Sequence, residues 1–528
     1  MKKKIWSNGK IYTANHKQKW AESIVTEGNR ILFVGSNDEA KKITGNQFDL
    51  HDLEGKLVLP GFIDSHVHLI IGGLSLTKLN LGKVKSKEDF RNSLKEFLAN
   101  TKSDWVTGGN WNHLQFDTKV LPTKEWIDDL TDKPIYLTRV DIHTALVNSA
   151  ALKLAGINKN TQAPEGGQII KDETGEPTGV LKDTAMNLVS KLIPAPLEYE
   201  LGNAMSAAQK EAHINGITSV HDITEPEHYQ LYKKSYAEQK LKLRINCIHP
   251  ISQVKRLIDG NVFNEIKNEY IRSSGVKAFA DGTLGSNTAW FFEPYKDDPT
   301  TTGLPTDYLV DGKFREWALL ADKNKIQLAV HAIGDRAVSE VINVFEEIVD
   351  TNPSWDRRFR IEHVQHIKSE DITRMKKLNV IASMQPSQLY DDGVWAGDKI
   401  GQHRLNGTHA VNTLLNNGIK VCLGSDWTVT PLDVIHGIDI AVNRKTKDGA
   451  NPNGWIPEEK ILIEQAINAY TIDAAYASFE ENIKGSIEVG KLADFIMLNE
   501  NAFELPSTEI EKIKVAKTIF NGELVYSI

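Results

Sequence analysis

The stretch "LVLPGFIDSHVHLI", residues 57–70, runs from apolar residues into two histidines placed two residues apart. Leu57, Val58, Leu59, Phe62 and Ile63, punctuated by Pro60 and Gly61, read as a buried strand. Side chains alternate between the faces of a strand, so His66 and His68 point the same way, with Asp64 beside them. Two imidazoles on one face at a strand end can grip one cation, or can simply be hydrogen-bonded to carbonyls at a domain edge. The chain holds 16 His among 528 residues, so a His-x-His pair by itself carries little weight. Its surroundings have to decide.

Working outward, apolar strand-like runs recur between amphipathic segments, the alternation expected of a parallel β/α architecture. They are "LPGFIDSHVH", "GITSVHDI", "LKLRINCIH", "GVKAFADG", "IQLAVHAIGD", "RFRIEHVQH", "VIASMQPS" and "KVCLGSDW". Between the fifth and sixth lies a stripe at helical spacing, Val338, Val341, Ile342, Phe345, Ile348 and Val349, which fits a helix packed outside a (β/α)8 TIM-type barrel. Asp335 stands at its start and reads as its cap.

In such a barrel the C-terminal strand ends converge on one rim and supply the active site. Read in order, that rim offers His66 and His68, then His221, His249, Lys277, His331, His363 and Asp426. A strand that merely leaves a core ends more often in Gly, Asn, Asp, Ser or Lys than in His. This wealth of imidazole makes His66 and His68 the first members of a ligand set.

"PGFIDSHVH", a strand-end lysine, "VHAIGD", "RIEHVQ" and "LGSDW" together resemble the metal-dependent amidohydrolase superfamily, in its branch similar to N-substituted formamide deformylases. "GVKAFADGTLGSNTA" and "GSIEVGKLADFIML" extend the resemblance over nearly the whole chain. The resemblance implies a centre of one or two divalent ions, zinc being the expected metal. It would give His66, His68 and Asp426 to one ion and His331 and His363 to the second. Lys277 can join them only if burial lowers its pKa and carbon dioxide converts the amine to a bridging carbamate; otherwise it is a buried ion pair, with Asp281 as partner. Asp426 is the expected general acid/base, since a carboxylate touching metal and water can move a proton to the leaving amine. His143, His221 and Trp111 are candidate substrate-binding residues, and His249 reads as structural.

The function expected is hydrolysis of a non-peptide C–N amide bond in a small molecule such as an N-acyl or N-formyl amine. A lactonase or ester hydrolase on the same centre, or a metal-free scaffold, are the alternatives. A mononuclear deaminase fits less well, because those relatives place a glutamate soon after the fifth-strand histidine and this chain reads "HAIGD".

Composition is ordinary for a globular enzyme, 40% hydrophobic and 25% charged. A net charge of −8 without a basic patch argues against a nucleic-acid partner. No apolar segment suggests secretion or a membrane span, so a cytoplasmic enzyme with a small-molecule substrate is expected, with a homodimer left open. Cys247 and Cys422 sit in apolar runs and read as packed thiols. Residues 1–56 and 480–528 carry short β-type runs and are expected to form one composite β-sandwich, which the resemblance also implies. Residues 57–74 and 205–479 are expected to form the barrel, and 75–204 an inserted subdomain covering the rim. "DGTLGSNTAWFFEPYKDDPTTTG" is a candidate mobile loop.

Overall fold

Gly61 divides the opening stretch in two. In the computed structural model, which describes residues 3–44, 48–141, 143–266 and 268–528, Leu57–Pro60 and Phe62–Val67 are separate strands in different sheets. A Cβ at position 61 would lie 2.3 Å from Thr218 Oγ1, so the chain passes from one sheet to the other where only glycine fits. The sequence reading, which started the barrel at residue 57, is corrected here: Leu57–Pro60 pairs with Lys10–Tyr12 and Phe495–Leu498 instead.

That six-stranded sheet also holds Trp20–Ala21, Val515–Phe520 and Glu523–Ser527. A four-stranded sheet is built from Lys3–Ser7, Ser23–Glu27, Arg30–Gly35 and Phe48–Asp52. The two share one apolar core, with Trp6, Ile24, Ile31 and Val34 from the smaller sheet meeting Ile11, Val58, Phe495, Met497 and Ile519 from the larger.

The eight apolar runs are the eight strands of a parallel barrel: β1 Phe62–Val67, β2 Ile217–Ile223, β3 Arg244–Pro250, β4 Ile271–Phe279, β5 Gln327–Ala332, β6 Arg360–His363, β7 Ile381–Met384 and β8 Val421–Leu423. They neighbour one another in chain order. Almost every residue in them is buried, as expected of strands covered on both faces. The ring closes between β8 and β1 through a single parallel bridge, Val67 to Trp427. Asp426 N donates to His66 O at 2.7 Å and His68 N to Trp427 O at 2.8 Å, so the seam carries the first and last candidate ligands. Gly424 allows this approach: a Cβ there would lie 2.6 Å from His66 N. Arg244, 1% exposed, ties β3 to the chain's C-terminal region through two hydrogen bonds to Asp494, at 2.5 and 2.9 Å.

Helix α1, Asp335–Thr351, buries Val338, Val341, Ile342, Phe345 and Ile348, while Val349 faces solvent. Asp335 is not its cap. Gly334 occupies that position, and Asp335 accepts the Phe292 N–H at 3.0 Å instead. The segment read as a mobile loop is pinned by Asp281, whose carboxylate accepts N–H groups from Trp290, Ile333 and Gly334.

The chain divides into two compact units, Met1–Leu69 with Gln209–Ile528, and Ile70–Ala208. The second has its own six-stranded sheet, from Leu79–Asn80 to Gly167–Lys171, and a core that includes Phe90, Leu94, Val106, Trp111, Phe116 and Ile127. Among the described residues no helix is long and apolar enough to cross a membrane. Cys247 and Cys422 are buried free thiols.

Candidate metal centre

The seam between β8 and β1 gathers three donors. His66 Nε2 lies 3.6 Å and His68 Nε2 3.5 Å from Asp426 Oδ1, and one ligand atom from each residue lies within 4.8 Å of the others. Two nitrogens and an oxygen at this spacing suit one divalent cation and leave further positions open, as a catalytic site requires. The backbone is strained to achieve it: His363 and Asp426 are left-handed, at φ 76° and 57°, a conformation costing about 1–3 kcal/mol for such residues.

The far sides of the rings fix their direction. His66 Nδ1 donates to Glu362 Oε2 at 2.7 Å, which leaves the Nε2 lone pair directed at Asp426 and Lys277. Glu362 is itself held by Arg360, Nε to Oε1 at 2.9 Å and Nη2 to Oε2 at 3.3 Å. Burial alone would raise the Glu362 carboxyl; Arg360, and then His66, outweigh it and hold it well below the usual range. His363 Nδ1 donates to Gln385 Oε1 at 2.7 Å, and Gln385 Nε2 donates to Ser383 O, which settles the orientation of the amide. His331 donates Nε2–H to Gly282 O at 3.0 Å. Each of these two imidazoles keeps one nitrogen uncommitted, and their ring centroids are 4.4 Å apart, with His363 5.1 Å from His66. Burial, reinforced by Lys277, lowers His331 to about 3, so the ring is neutral as a ligand must be.

Lys277 is buried, with Nζ 3.4 Å from His66 Nε2. Burial pushes its ammonium down to about 8. The alternative partner Asp281 is committed to the backbone N–H groups described above, and Lys277 pairs with no carboxylate among the described residues. Burial acts to raise the Asp426 carboxyl, but the facing imidazoles of His66, His68 and His363 prevail and hold it below the ordinary carboxylate range. Its second oxygen, Oδ2, accepts from Gln388 Nε2 at 2.9 Å. Gln385 and Gln388 stand at the start of α2, Pro386–Ile400, so one helix end supports both His363 and Asp426.

The structure therefore brings His66, His68, Lys277, His331, His363 and Asp426 together. The three substrate-binding candidates are placed differently. His221 is wholly buried and accepts an N–H from Arg360 on Nδ1 at 2.9 Å, so it supports the barrel interior instead of facing an open pocket. Trp111 is fully buried in the second unit's core, its indole N–H donating to Leu137 O, and cannot line an open pocket. His143, with its side chain 74% exposed, pairs with Asp183. His249 is buried against Ser273 Oγ at 2.9 Å, a structural placement.

The sequence reading did not single out Arg360 and Glu362. Their signal is present: two opposite charges two residues apart, on one face of the fully buried "RIEH" strand, are an anomaly that a pair satisfied inside the barrel explains. Gln385 and Gln388 lie after the one barrel strand whose end carries no titratable group, "ASMQPS", and neutral amides give no such signal.

The amidohydrolase family profile matches residues 49–526. The chain belongs to this family. It is 36% identical to the protein LONG AFTER FAR-RED 3 of Arabidopsis thaliana, over 98% of this chain and 91% of that one. It is 25% identical to the N-substituted formamide deformylase of Arthrobacter pascens, over 98% and 97% of the two chains. A crystal structure described as an uncharacterized metal-dependent hydrolase from Pyrococcus furiosus superposes with a TM-score of 0.79 at 28% identity, covering 94% of this chain and 99% of that one. Membership and geometry agree on a metal-dependent hydrolase.

Glu362 orients a ligand without touching the cation site. Glu362→Ala is expected to weaken divalent-ion binding by about 10–100-fold, the usual consequence of losing such a support. Competition titration of the metal-free protein with a zinc chelator measures it, and an affinity equal to the parent's would contradict the role.

Proposed function

We propose that the protein hydrolyses a non-peptide C–N amide bond of a small molecule, such as an N-acyl or N-formyl amine. The observation that carries this reading is the state of Asp426: one oxygen faces two imidazoles, and the other is held by an amide donor beside the open positions of the centre. The named activity of the Arthrobacter pascens relative supports the choice of bond.

His66, His68 and Asp426 would hold one divalent ion, and His331 and His363 a second. A bound ion supplies a Lewis acid for the carbonyl and lowers the pKa of water. Asp426 Oδ2 takes the proton of the attacking water and returns it to the departing nitrogen, so the amine leaves neutral. Gln388 Nε2 fixes that oxygen through both transfers. The His331 and His363 rings, kept neutral by burial, hold position without competing for the proton.

Lys277 completes the reading. In the neutral form that burial favours, its amine nitrogen bonds to the carbon of carbon dioxide and loses a proton to solvent, leaving a carbamate anion. Zinc is the metal proposed, and Lys277→Ala is expected to bind one equivalent fewer, with short-chain carboxylates restoring part of the activity. Full metal content and full turnover in that variant would contradict the carbamate.

A hydrolysis screen of zinc- or manganese-loaded protein against N-formyl, N-acyl, cyclic amide and lactone substrates tests the bond class; amide turnover is expected to exceed lactone turnover. With the best amide, Asp426→Asn is expected to lower kcat by about a hundredfold or more, the size of a general acid/base contribution. Parent-like kcat would remove Asp426 from proton transfer.

A further inference from the structure

Phe279 is the last residue of β4, and strand alternation puts it on the same face as Lys277, one level nearer the mouth of the barrel. In register it stands opposite His331. Its ring centroid is 5.3 Å from the His331 ring and 4.9 Å from Lys277 Nζ, yet the residue is 41% exposed. A phenyl ring in direct contact with two members of a polar centre, and still open to solvent, forms the wall of the space above that centre. It is also held in place. Phe279 N donates to Tyr308 Oη at 2.5 Å, and Thr306 Oγ1 donates to Phe279 O at 2.7 Å, so both backbone polar groups are fixed by one segment.

A second apolar group stands across the ring. Val429 is 68% exposed in the turn that Asp426 opens, its N–H donating to Asp426 O at 2.7 Å. The strands that carry Phe279 and lead to Asp426, β4 and β8, are four places apart in an eight-stranded ring and therefore face each other.

We infer that Phe279 is a specificity-determining residue, and that the substrate is an amide carrying a bulky apolar substituent that packs on its ring. The inference rests on the hydrolytic reading for the bond that is cut, while the position of Phe279 stands without it. An apolar substituent buries the exposed ring on binding.

The test uses the zinc-loaded full chain and N-substituted acetamides bearing methyl, butyl or phenylethyl groups. Two readouts are taken: kcat/KM, and binding by calorimetry, which reports the contact whether or not turnover occurs. In the parent, both are expected to rise by about tenfold or more from methyl to phenylethyl. In Phe279→Ser that gradient is expected to flatten, mainly through KM, and Phe279→Leu to restore part of it. A parent with no gradient, or a gradient that survives Phe279→Ser, would each overturn the inference. No turnover of any amide, with the binding gradient intact, would instead count against the hydrolytic reading alone.

Discussion

The centre depends on a buried ion pair. Arg360 and Glu362 have no exposed surface, and the guanidinium spans the barrel interior to reach Ser65 on β1, His221 on β2 and Ser383 on β7. Burying two charges costs several kcal/mol for each, and the cost is offset only when their hydrogen-bonding capacity is filled. Here Glu362 is filled by Arg360 on one side and by His66 on the other. The pair is thus weak evidence for stability and strong evidence for direction. It sets which nitrogen of His66 faces Asp426, and with it the geometry of the remaining ligands.

A second constraint is the seam. The ring of strands is completed by the segment after β8, which brings Ser425 and Asp426 against β1. Asp64, on the same strand as His66, accepts both the Ser425 and His66 N–H groups, and burial raises its carboxyl to about 7. Closing the barrel and assembling the His66, His68 and Asp426 donors are therefore one event. The left-handed backbone of Asp426 is held by that same closure. The Phe279 wall follows from the barrel too, because the alternation that buries Lys277 carries the next residue on that face up to the rim.

Much of this was legible in the chain itself. Strands covered on both faces are short continuous apolar runs, and all eight could be read, with the candidate ligands at their ends standing out because imidazole is rare where a strand simply meets water. The break at Gly61 could not be read, since its cause is Thr218, far along the sequence. His221 misled because it lies two residues short of the end of β2, below the rim, where a histidine meets Arg360 and no solvent. Trp111 belongs to a strand with Gly108 and Gly109, and its burial in the second unit's core depends on residues distant in the chain. Phe279 was passed over because an aromatic after a buried run looks like more core; only its exposure beside His331 distinguishes it.

The most direct measurement is anomalous diffraction at the zinc edge from crystals of protein purified with ample zinc. The account predicts a peak about 2.0–2.2 Å from His66 Nε2, His68 Nε2 and Asp426 Oδ1, the ordinary range for nitrogen and oxygen ligands. A fully ordered centre with no anomalous density among those three atoms would contradict it.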